Sequence, residues 1–406
     1  MRTVEEHQRV VAGLITMRPA MALPLSETLG LVLAADVAAP MSLPVFDNSA
    51  MDGYAVLASD IPVGTSAEHP VTLPVAEDIP AGRTDALTLK PGTAHRIMTG
   101  APLPDGATAV VPVELTDAGT DTVEIRGTAT EGQHLRRAGE DVTAGTTVLR
   151  AGQVITPAAL GLAAALGLGE LSVRPRQRVL VMSTGTELVS SGTALEPGQI
   201  YESNAVMLAA AVRDAGGEVV AAPMAGDDVE EFRAALAAHV GAHKAGVDLI
   251  ITTGGVSAGA YEVVKDALGG DDQSVEFVKV AMQPGMPQGA GHVGAVPIIT
   301  LPGNPVSALV SFEVFIRPAL RAAMALPRTH RPVRAAVVTE QLTSPHGKRQ
   351  FRRGVLDAEA GTVTSYGPPA SHHLRWLASA NCLVEIPEDV AEVDAGATVR
   401  VWDLSG

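Results

Sequence analysis

The sequence contains few residues of several types, and each shortage excludes a class of protein. Cys382 is the only cysteine among 406 residues, so neither an intrachain disulfide nor a cysteine-rich metal site can form. Aromatic residues make up only 3% of the chain, so its cores must be built mainly from alanine, valine and leucine. We expect Cys382 to be a buried packing residue rather than a nucleophile.

Positive charge is scarce as well. Lysine and arginine total 29 against 45 acidic residues, which gives a net charge of −16, and five of the basic residues are lysines. This balance argues against a nucleic-acid partner and against an anionic membrane surface. A local basic pocket is still compatible with it.

The chain also lacks the marks of export or of membrane insertion. Its first residues have neither the basic nor the apolar block of a signal peptide. Residues 280–312 carry no charged side chain, but prolines interrupt them, and a spanning helix needs about 20 clean apolar residues. We therefore expect a soluble, cytoplasmic protein without a membrane partner.

The first 175 residues combine short helices with a β-rich stretch. Thr3 and Glu6 have capping-box spacing ahead of a helical apolar pattern. A second short helix is predicted from Ser26 and a third over residues 157–168, with Pro157 at its first position. Between them, residues 41–139 hold short valine- and threonine-containing runs separated by glycine, proline and aspartate, which predicts a small β-rich insertion.

Residues 176–328 alternate between strand and helix patterns. Apolar runs at 178–183, 218–222, 248–253, 275–280 and 296–301 predict strands. Helical patterns begin near Asn204 and at Asp227. This alternation predicts a doubly wound α/β domain.

In such a domain, ligands bind at the carboxyl ends of the strands. Four polar or glycine-rich loops follow the predicted strands, at residues 183–187, 226–227, 253–259 and 301–307. Their backbone N–H groups suit phosphates and other oxyanions. Tight packing would explain a single double-glycine turn equally well. None of the loops matches a dinucleotide fingerprint or a P-loop.

Three carboxylates fall in or beside these loops. Glu187, Asp227 and Glu262 would repel an anionic substrate unless a divalent cation lay between them, most simply Mg²⁺ with retained waters. The alternative is that Asp227 caps a helix and that the two glutamates are solvated.

Residues 329–406 contain short strand patterns between polar turns, which predicts a small β-barrel. The adjacent His372 and His373 are not expected to bind one metal together, because successive side chains on a strand point in opposite directions.

The stretch Phe46–Val56, FDNSAMDGYAV, has the composition of an irregular turn that leads into a strand. Taken alone it would be a solvated loop. Its eleven residues, however, resemble the signature loop of the molybdopterin molybdenumtransferase family of the gephyrin E-domain type. The segments IMTGAP and RRAGED resemble further motifs of this family, as do STGTEL, GDD, TTGGVSAG, LPGNPVS, the FRRG at 351–354 and the SHH at 371–373.

The resemblance covers essentially the whole chain and implies a multidomain α/β fold. It implies a discontinuous scaffold domain (20–40 and 140–175), a β-rich insertion (41–139), an α/β molybdopterin-binding domain (1–19 and 176–328) and a C-terminal small β-barrel (329–406). It also implies a homodimer whose sites are shared between subunits.

The implied activity is the transfer of molybdenum from molybdate to adenylylated molybdopterin, with Mg²⁺ required and AMP released. The implied pathway partners are a molybdopterin adenylyltransferase upstream and molybdoenzymes downstream. The resemblance gives catalytic roles to Asp52, Thr99, Asp141 and Glu187, and metal-binding roles to Glu187, Asp227 and Glu262. The implied substrate-binding residues are Ser183, Thr184, Gly185, Asp227, Gly254, Gly255, Ser257, Gly259, Lys265, Lys279, Pro302, Gly303, Asn304, Pro305, Ser307, Arg353 and Ser371.

The chain departs from the family pattern at two places. Glu262 stands where an aspartate is common, and Gln283 and Met286 stand where many relatives have the lysines of a KPGKP segment. Two alternatives stay open. The chain could be a molybdopterin adenylyltransferase, because those enzymes share the central domain. It could also be a non-catalytic scaffold, because the gephyrin domain combines scaffolding with catalysis.

Overall fold

The computed structural model of the chain describes residues 1–242, 246–255, 263–268 and 275–405. It divides into two compact units: Met1–Leu23, Gly30–Ala34 and Ser172–Gly406 form the larger one, and Pro24–Leu29 with Ala35–Leu171 form the smaller one. The four-domain division expected from the sequence is finer than this and stays a prediction.

The α-helices of the described residues are Val4–Leu14, Pro157–Ala165, Asn204–Asp214, Val229–Ala242, Val263–Leu268, Pro305–Ser311, Arg317–Ala323 and Leu374–Ala378, with a π-helical segment at Phe312–Ile316. Short 3-10 helices lie at Leu25–Glu27, Ala58–Asp60 and Val113–Leu115. The predicted capping box of the first helix is present, with both Thr3 and Glu6 bonded reciprocally. In the described part of the chain, no helix combines the length and the apolar character that crossing a membrane requires.

The predicted helix from Ser26 is wrong. A single 3-10 turn, Leu25–Glu27, stands there and is followed by the strand Val32–Leu33. This strand pairs antiparallel with Glu170–Arg174. The β-branched Val32 belongs to the strand, and Gly30 with a φ of 75° ends the turn before a helix could form.

The smaller unit is built on a five-stranded sheet. Its strand order is Ala109–Pro112, Gly53–Val56, Ala94–Ile97, Val71–Ile79 and Thr122–Ile125. Short pairs at Val37–Ala38 with Thr147–Leu149, and at Asn48–Ser49 with Leu135–Arg136, accompany it. Strand Gly53–Val56 is buried throughout, because apolar side chains pack on both of its faces. The predicted β-rich character of this stretch is confirmed.

The larger unit contains a mixed sheet with helices on both faces. Its strand order is Glu218–Ala221, Arg178–Thr184, Leu249–Thr253, Val296–Leu301, Pro287–Val293 and Val275–Lys279, and Met224–Ala225 extends the first edge. The first four strands of this order are parallel, and the last two run antiparallel to their neighbours. Separate apolar clusters cover the two faces, so the predicted doubly wound arrangement is confirmed.

The strand Pro287–Val293 was missed by the sequence analysis. Its residues, PQGAGHV, include a proline and two glycines, which are rare inside strands. Gly289 is needed there because a β-carbon at that position would lie 2.2 Å from the hydroxyl oxygen of Thr300 on the neighbouring strand.

The C-terminal part of the larger unit is a closed barrel. Strands Arg349–Asp357, Thr362–Ser365, Val333–Val338, Thr398–Asp403 and Cys382–Ile386 follow each other around it, and the last pairs with the first. Minor strands lie at Leu342–Thr343 and Glu392–Val393. Cys382 is buried in the barrel core, and burial followed by the nearby charge of Asp403 raises the pKa of its thiol to about 12. The predicted barrel is confirmed.

Candidate functional site

A cavity of about 1420 Å³ opens at the carboxyl edge of the parallel strands in the larger unit. The loops that follow strands 178–184, 249–253 and 296–301 all contribute to its walls. It is large enough for a cofactor-sized ligand. The cavity therefore lies where the sequence analysis placed the binding site.

All but one of the predicted substrate-binding residues that the structure describes in the larger unit lie on the wall of this cavity. The lining set includes Ser183, Thr184, Gly185, Glu187, Asp227, Gly254, Gly255, Lys265, Lys279, Pro302, Gly303, Asn304, Pro305, Ser307 and Ser371. The predicted Ser257, Gly259 and Glu262 lie outside the described residues. The exception is Arg353.

Two hydroxyl groups at the end of the strand Arg178–Thr184 lack hydrogen-bond partners within the described residues. Ser183 and Thr184 are only 2% and 6% exposed as whole residues, yet neither hydroxyl oxygen has a hydrogen-bond partner in the described part of the chain. Buried polar groups are normally satisfied, so an orphaned pair on a cavity wall marks a surface that suits a polar ligand.

The carboxylate of Asp227 is held by the loop of the neighbouring strand. One of its oxygens accepts hydrogen bonds from the amide and the hydroxyl of Thr186, at 2.9 and 2.7 Å. The helix Val229–Ala242 is capped instead by Asp228, whose carboxylate accepts from the amides of Glu230 and Glu231. The alternative that Asp227 is a helix cap is therefore wrong, and its second carboxylate oxygen stays available to a ligand.

The second carboxylate on this side of the cavity is Glu187. Its side chain is exposed and makes no hydrogen bond or ion pair with other described residues. Gly185 leaves room for it, because a β-carbon at position 185 would lie 2.5 Å from a carboxylate oxygen of Glu187.

These two carboxylates fit a magnesium site. Mg²⁺ usually takes one or two protein carboxylates and completes its six ligands with water and substrate oxygens. No group of three or more acidic, histidine or cysteine side chains in the described ranges could hold a metal ion on its own. Glu187 and Asp227 would therefore share the ion with substrate and water.

A hydrogen-bonded frame holds the loop after strand Val296–Leu301. The side-chain amide of Asn204 donates hydrogen bonds to the backbone carbonyl of Gly303 at 2.6 Å and to the hydroxyl of Thr253 at 3.1 Å. The side chain of Asn304 donates to the hydroxyl of Ser371 at 3.0 Å. Ser371, from the barrel segment, is thereby fixed at the cavity wall.

Arg353 differs from expectation. Its guanidinium is buried and donates to the backbone carbonyls of Pro368, Ala370 and His373. Burial, followed by the charge of Arg352, lowers the pKa of Arg353. It does not line the cavity, because its donors are used to shape the segment that carries Ser371.

Sequence reasoning missed some residues of the cavity wall. Asn204 and the buried Glu202, which caps the helix Asn204–Asp214 through the amide of Ala205 at 2.5 Å, lie beside the site. Lys348 also lines the cavity although it lies about 40 to 165 positions along the chain from the loops described above. The YESN run at 201–204 was a visible signal for the first two, whereas nothing in the sequence pointed to Lys348.

The smaller unit carries the signature loop, and it brings three predicted motifs together. The amide and hydroxyl of Thr99 both donate to one carboxylate oxygen of Asp52, at 2.6 and 2.7 Å. These two hydrogen bonds lower the pKa of Asp52. Asp47 in the same loop accepts from the amide of Ala138 and from Arg137, which belong to the RRAGED motif.

Asp141 has a looser connection to this loop. Its backbone amide donates to the carbonyl of Leu43 at 3.0 Å, and its side chain is exposed without a hydrogen bond to Asp52 or Thr99. The structure therefore pairs Asp52 with Thr99 and leaves Asp141 as a neighbour of the loop.

Family models match nearly the whole chain. The model described as the MoeA N-terminal region (domain I and II) matches residues 2–167. A model described as a probable molybdopterin binding domain matches residues 180–322, and the MoeA C-terminal region (domain IV) matches residues 335–404.

Individual proteins agree with these models. The chain is 68% identical to molybdopterin molybdenumtransferase 2 and 38% identical to molybdopterin molybdenumtransferase 1 of Mycobacterium tuberculosis, each over 100% of this chain and at least 99% of the relative. Two solved structures of the molybdopterin biosynthesis moeA protein of Pyrococcus horikoshii superpose with TM-scores of 0.77 and 0.70, at 29% and 26% identity, covering at least 99% of this chain and of theirs. The chain belongs to the molybdopterin molybdenumtransferase family.

Proposed function

We propose that this protein transfers molybdenum from molybdate to adenylylated molybdopterin and releases AMP. The observation that supports this most strongly is the cavity at the carboxyl edge, which is lined both by the carboxylates of Glu187 and Asp227 and by the lysines Lys265, Lys279 and Lys348. A substrate that carries phosphates and is joined by a second anion needs both kinds of group.

The chain's own residues have distinct tasks in this proposal. Ser183 and Thr184, whose buried hydroxyls lack partners among the described residues, and the Pro302–Ser307 loop form the wall against which the pterin substrate would bind. Glu187 and Asp227 hold Mg²⁺. When bound, Mg²⁺ would neutralise charge on the substrate's phosphate oxygens during cleavage of the phosphoanhydride bond.

Asp52 and Thr99 form a second group, for which we propose a role in pyrophosphate cleavage or in binding its metal ion. Thr99 keeps Asp52 ionised and fixes one of its oxygens, which leaves the other for a ligand. The resemblance supports a homodimer in which this loop serves a site shared between subunits, with Asp141 at its margin.

The place of this reaction in its pathway follows from the chemistry. A reaction that adenylylates molybdopterin must supply the substrate, and molybdoenzymes use the product. The cytoplasmic location and the absence of a nucleic-acid partner stay predictions. The adenylyltransferase alternative is disfavoured, because the matched regions at 2–167 and 335–404 lie outside the domain shared with those enzymes. The same full-length match to transferases disfavours a purely scaffolding role.

The test is an assay of AMP release. Purified protein would be incubated with adenylylated molybdopterin, and Mg²⁺ and molybdate would be supplied together, singly or not at all. We expect AMP and molybdenum cofactor when both are present. Consumption of ATP with unmodified molybdopterin, and no AMP release from the adenylylated form, would favour an adenylyltransferase instead.

A further inference from the structure

Two of the lysines that line the cavity, Lys279 and Lys348, lie apart from its carboxylates, whereas a third, Lys265, lies on the helix Val263–Leu268 beside Gly255. Glu187 and Asp227 follow strands at one side of the sheet, whereas Lys279 ends the strand Val275–Lys279 at its other edge. Four strand spacings separate strands 178–184 and 275–279, which places the acidic and basic ends about 19 Å apart. A single diphosphate group is too short to contact both ends.

Lys348 joins Lys279 at the basic end. Just after it, the amide of Arg349 donates to the carbonyl of Ala281 at 2.9 Å, and Arg349 pairs with Met282 in a parallel bridge. Just before it, the amide of Gly347 donates to the carbonyl of Glu388 at 2.7 Å. The backbone of Lys348 is therefore clamped on both sides, next to the segment that follows Lys279.

The charge of Lys348 is not neutralised by the described part of the protein. Its neighbour Arg349 is fully engaged, with ion pairs to Glu5 at 2.5 Å and to Glu388 at 3.0 Å. Lys348 is half-buried on the cavity wall, and neither it nor Lys279 has an ion pair or a side-chain hydrogen bond among the described residues. Two such ammonium groups at one end of a cavity form a site for a dianion.

We propose that Lys348, supplied by the barrel, binds the free oxyanion substrate together with Lys279. Gln283 and Met286 line the same cavity without charge, so Lys348 provides positive charge that this loop lacks. This inference rests on the proposed function, in which molybdate is the free oxyanion. The substrate's phosphates belong at the other end, with the carboxylates and their metal ion.

The test compares Lys348→Gln with the control Lys90→Gln, an exposed lysine of the smaller unit. We expect Lys348→Gln to raise the molybdate concentration for half-maximal AMP release by about tenfold or more, because the loss of one charge-assisted hydrogen bond weakens binding by about that factor. The half-saturating concentration of adenylylated molybdopterin should not change. Adding Met286→Lys to Lys348→Gln should restore much of the molybdate response, whereas Lys90→Gln should behave as wild type.

Three results would overturn the inference. One is an unchanged molybdate response, the second is an effect confined to the pterin substrate, and the third is a lower maximal rate that Met286→Lys does not rescue. Calorimetric titration of each protein with molybdate alone separates this inference from the proposed function. If wild type releases no AMP but Lys348→Gln still weakens molybdate binding, the function fails and the Lys348 site stands. If wild type releases AMP and Lys348→Gln binds molybdate normally, only the inference fails.

Discussion

At the scale of single residues, Asp52 is set up as a fixed, ionised carboxylate. Thr99 donates twice to the same oxygen and lowers the pKa of Asp52. The following Gly53 is required by packing, because a β-carbon there would lie 2.0 Å from the carbonyl oxygen of Val111. The turn and the strand behind it thus hold the carboxylate in one place.

We expect Asp52→Asn to reduce AMP release by at least about a hundredfold, because an amide cannot supply the negative charge that binds a cation or accepts a proton. Asp105→Asn, at an exposed position of the same unit whose side chain has no hydrogen bond among the described residues, is the matched control and should keep full activity. Circular dichroism would verify that both variants fold. Near-normal AMP release by Asp52→Asn would remove this residue from the reaction.

At the scale of elements, the N-terminal helix Val4–Leu14 carries a buried histidine, His7, whose pKa is lowered when the chain folds. The ring of His7 packs edge-on against Phe315 at 4.7 Å, and its Nε2 has no partner among the described residues. Burial, followed by the charge of Arg2, lowers the pKa of His7 to about 4, while Glu276 opposes the shift. The folded state therefore favours the neutral ring.

This shift makes stability depend on pH. Above the unfolded pKa of about 6.5 the neutral ring is favoured in both states, and stability is complete. Between pH 6.5 and 4 the unfolded chain binds a proton that the folded chain does not, so stability falls as pH falls, by roughly 3 kcal/mol in total.

We expect His7→Leu to flatten the pH dependence of the urea midpoint between pH 6.5 and 4, whereas the exposed His69→Leu should leave it as in wild type. The difference between the two curves removes the contribution of carboxylates that titrate in the same range. Parallel curves for wild type and His7→Leu would show that His7 is not the group responsible.

Elements with strong periodicity or clear caps could be predicted from sequence, as with the capping box at Thr3 and the buried strand from Arg178. The strand Pro287–Val293 could not, because its glycines serve close packing against Thr300 rather than strand propensity. The same limit applies to the site. Short polar loops such as 183–187 can be recognised from the local sequence. Lys348 cannot, because it is brought to the cavity by the strand pairing between Met282 and Arg349, and that pairing joins segments far apart in the sequence.

At the scale of the whole molecule, the proposed homodimer can be tested by asking whether Asp52 of one subunit acts in the site of the other subunit. Asp52 belongs to the smaller unit and Asp227 to the larger one. If sites are shared, a mixed dimer of an Asp52→Asn chain and an Asp227→Asn chain has one pocket with both lesions and one with neither.

We expect such a mixed dimer, purified through two different tags, to release AMP at about half the wild-type rate if its pockets act independently. Each mutant homodimer serves as the inactive reference. A mixed dimer no more active than these references would mean that each chain uses its own Asp52.

The central claim is that the cavity at the carboxyl edge of the sheet is where the reaction takes place, and two adjacent aspartates allow the most direct test. Asp227 faces the cavity, whereas Asp228 caps the helix Val229–Ala242. The measurement is AMP release at saturating molybdate and Mg²⁺ by Asp227→Asn and Asp228→Asn, with the urea midpoint of each. We predict that Asp227→Asn loses at least about a hundredfold in rate at nearly normal stability. Asp228→Asn should keep most of its rate with a stability change below about 1 kcal/mol, because asparagine is also a good cap. Equal rates for the two variants would contradict the claim.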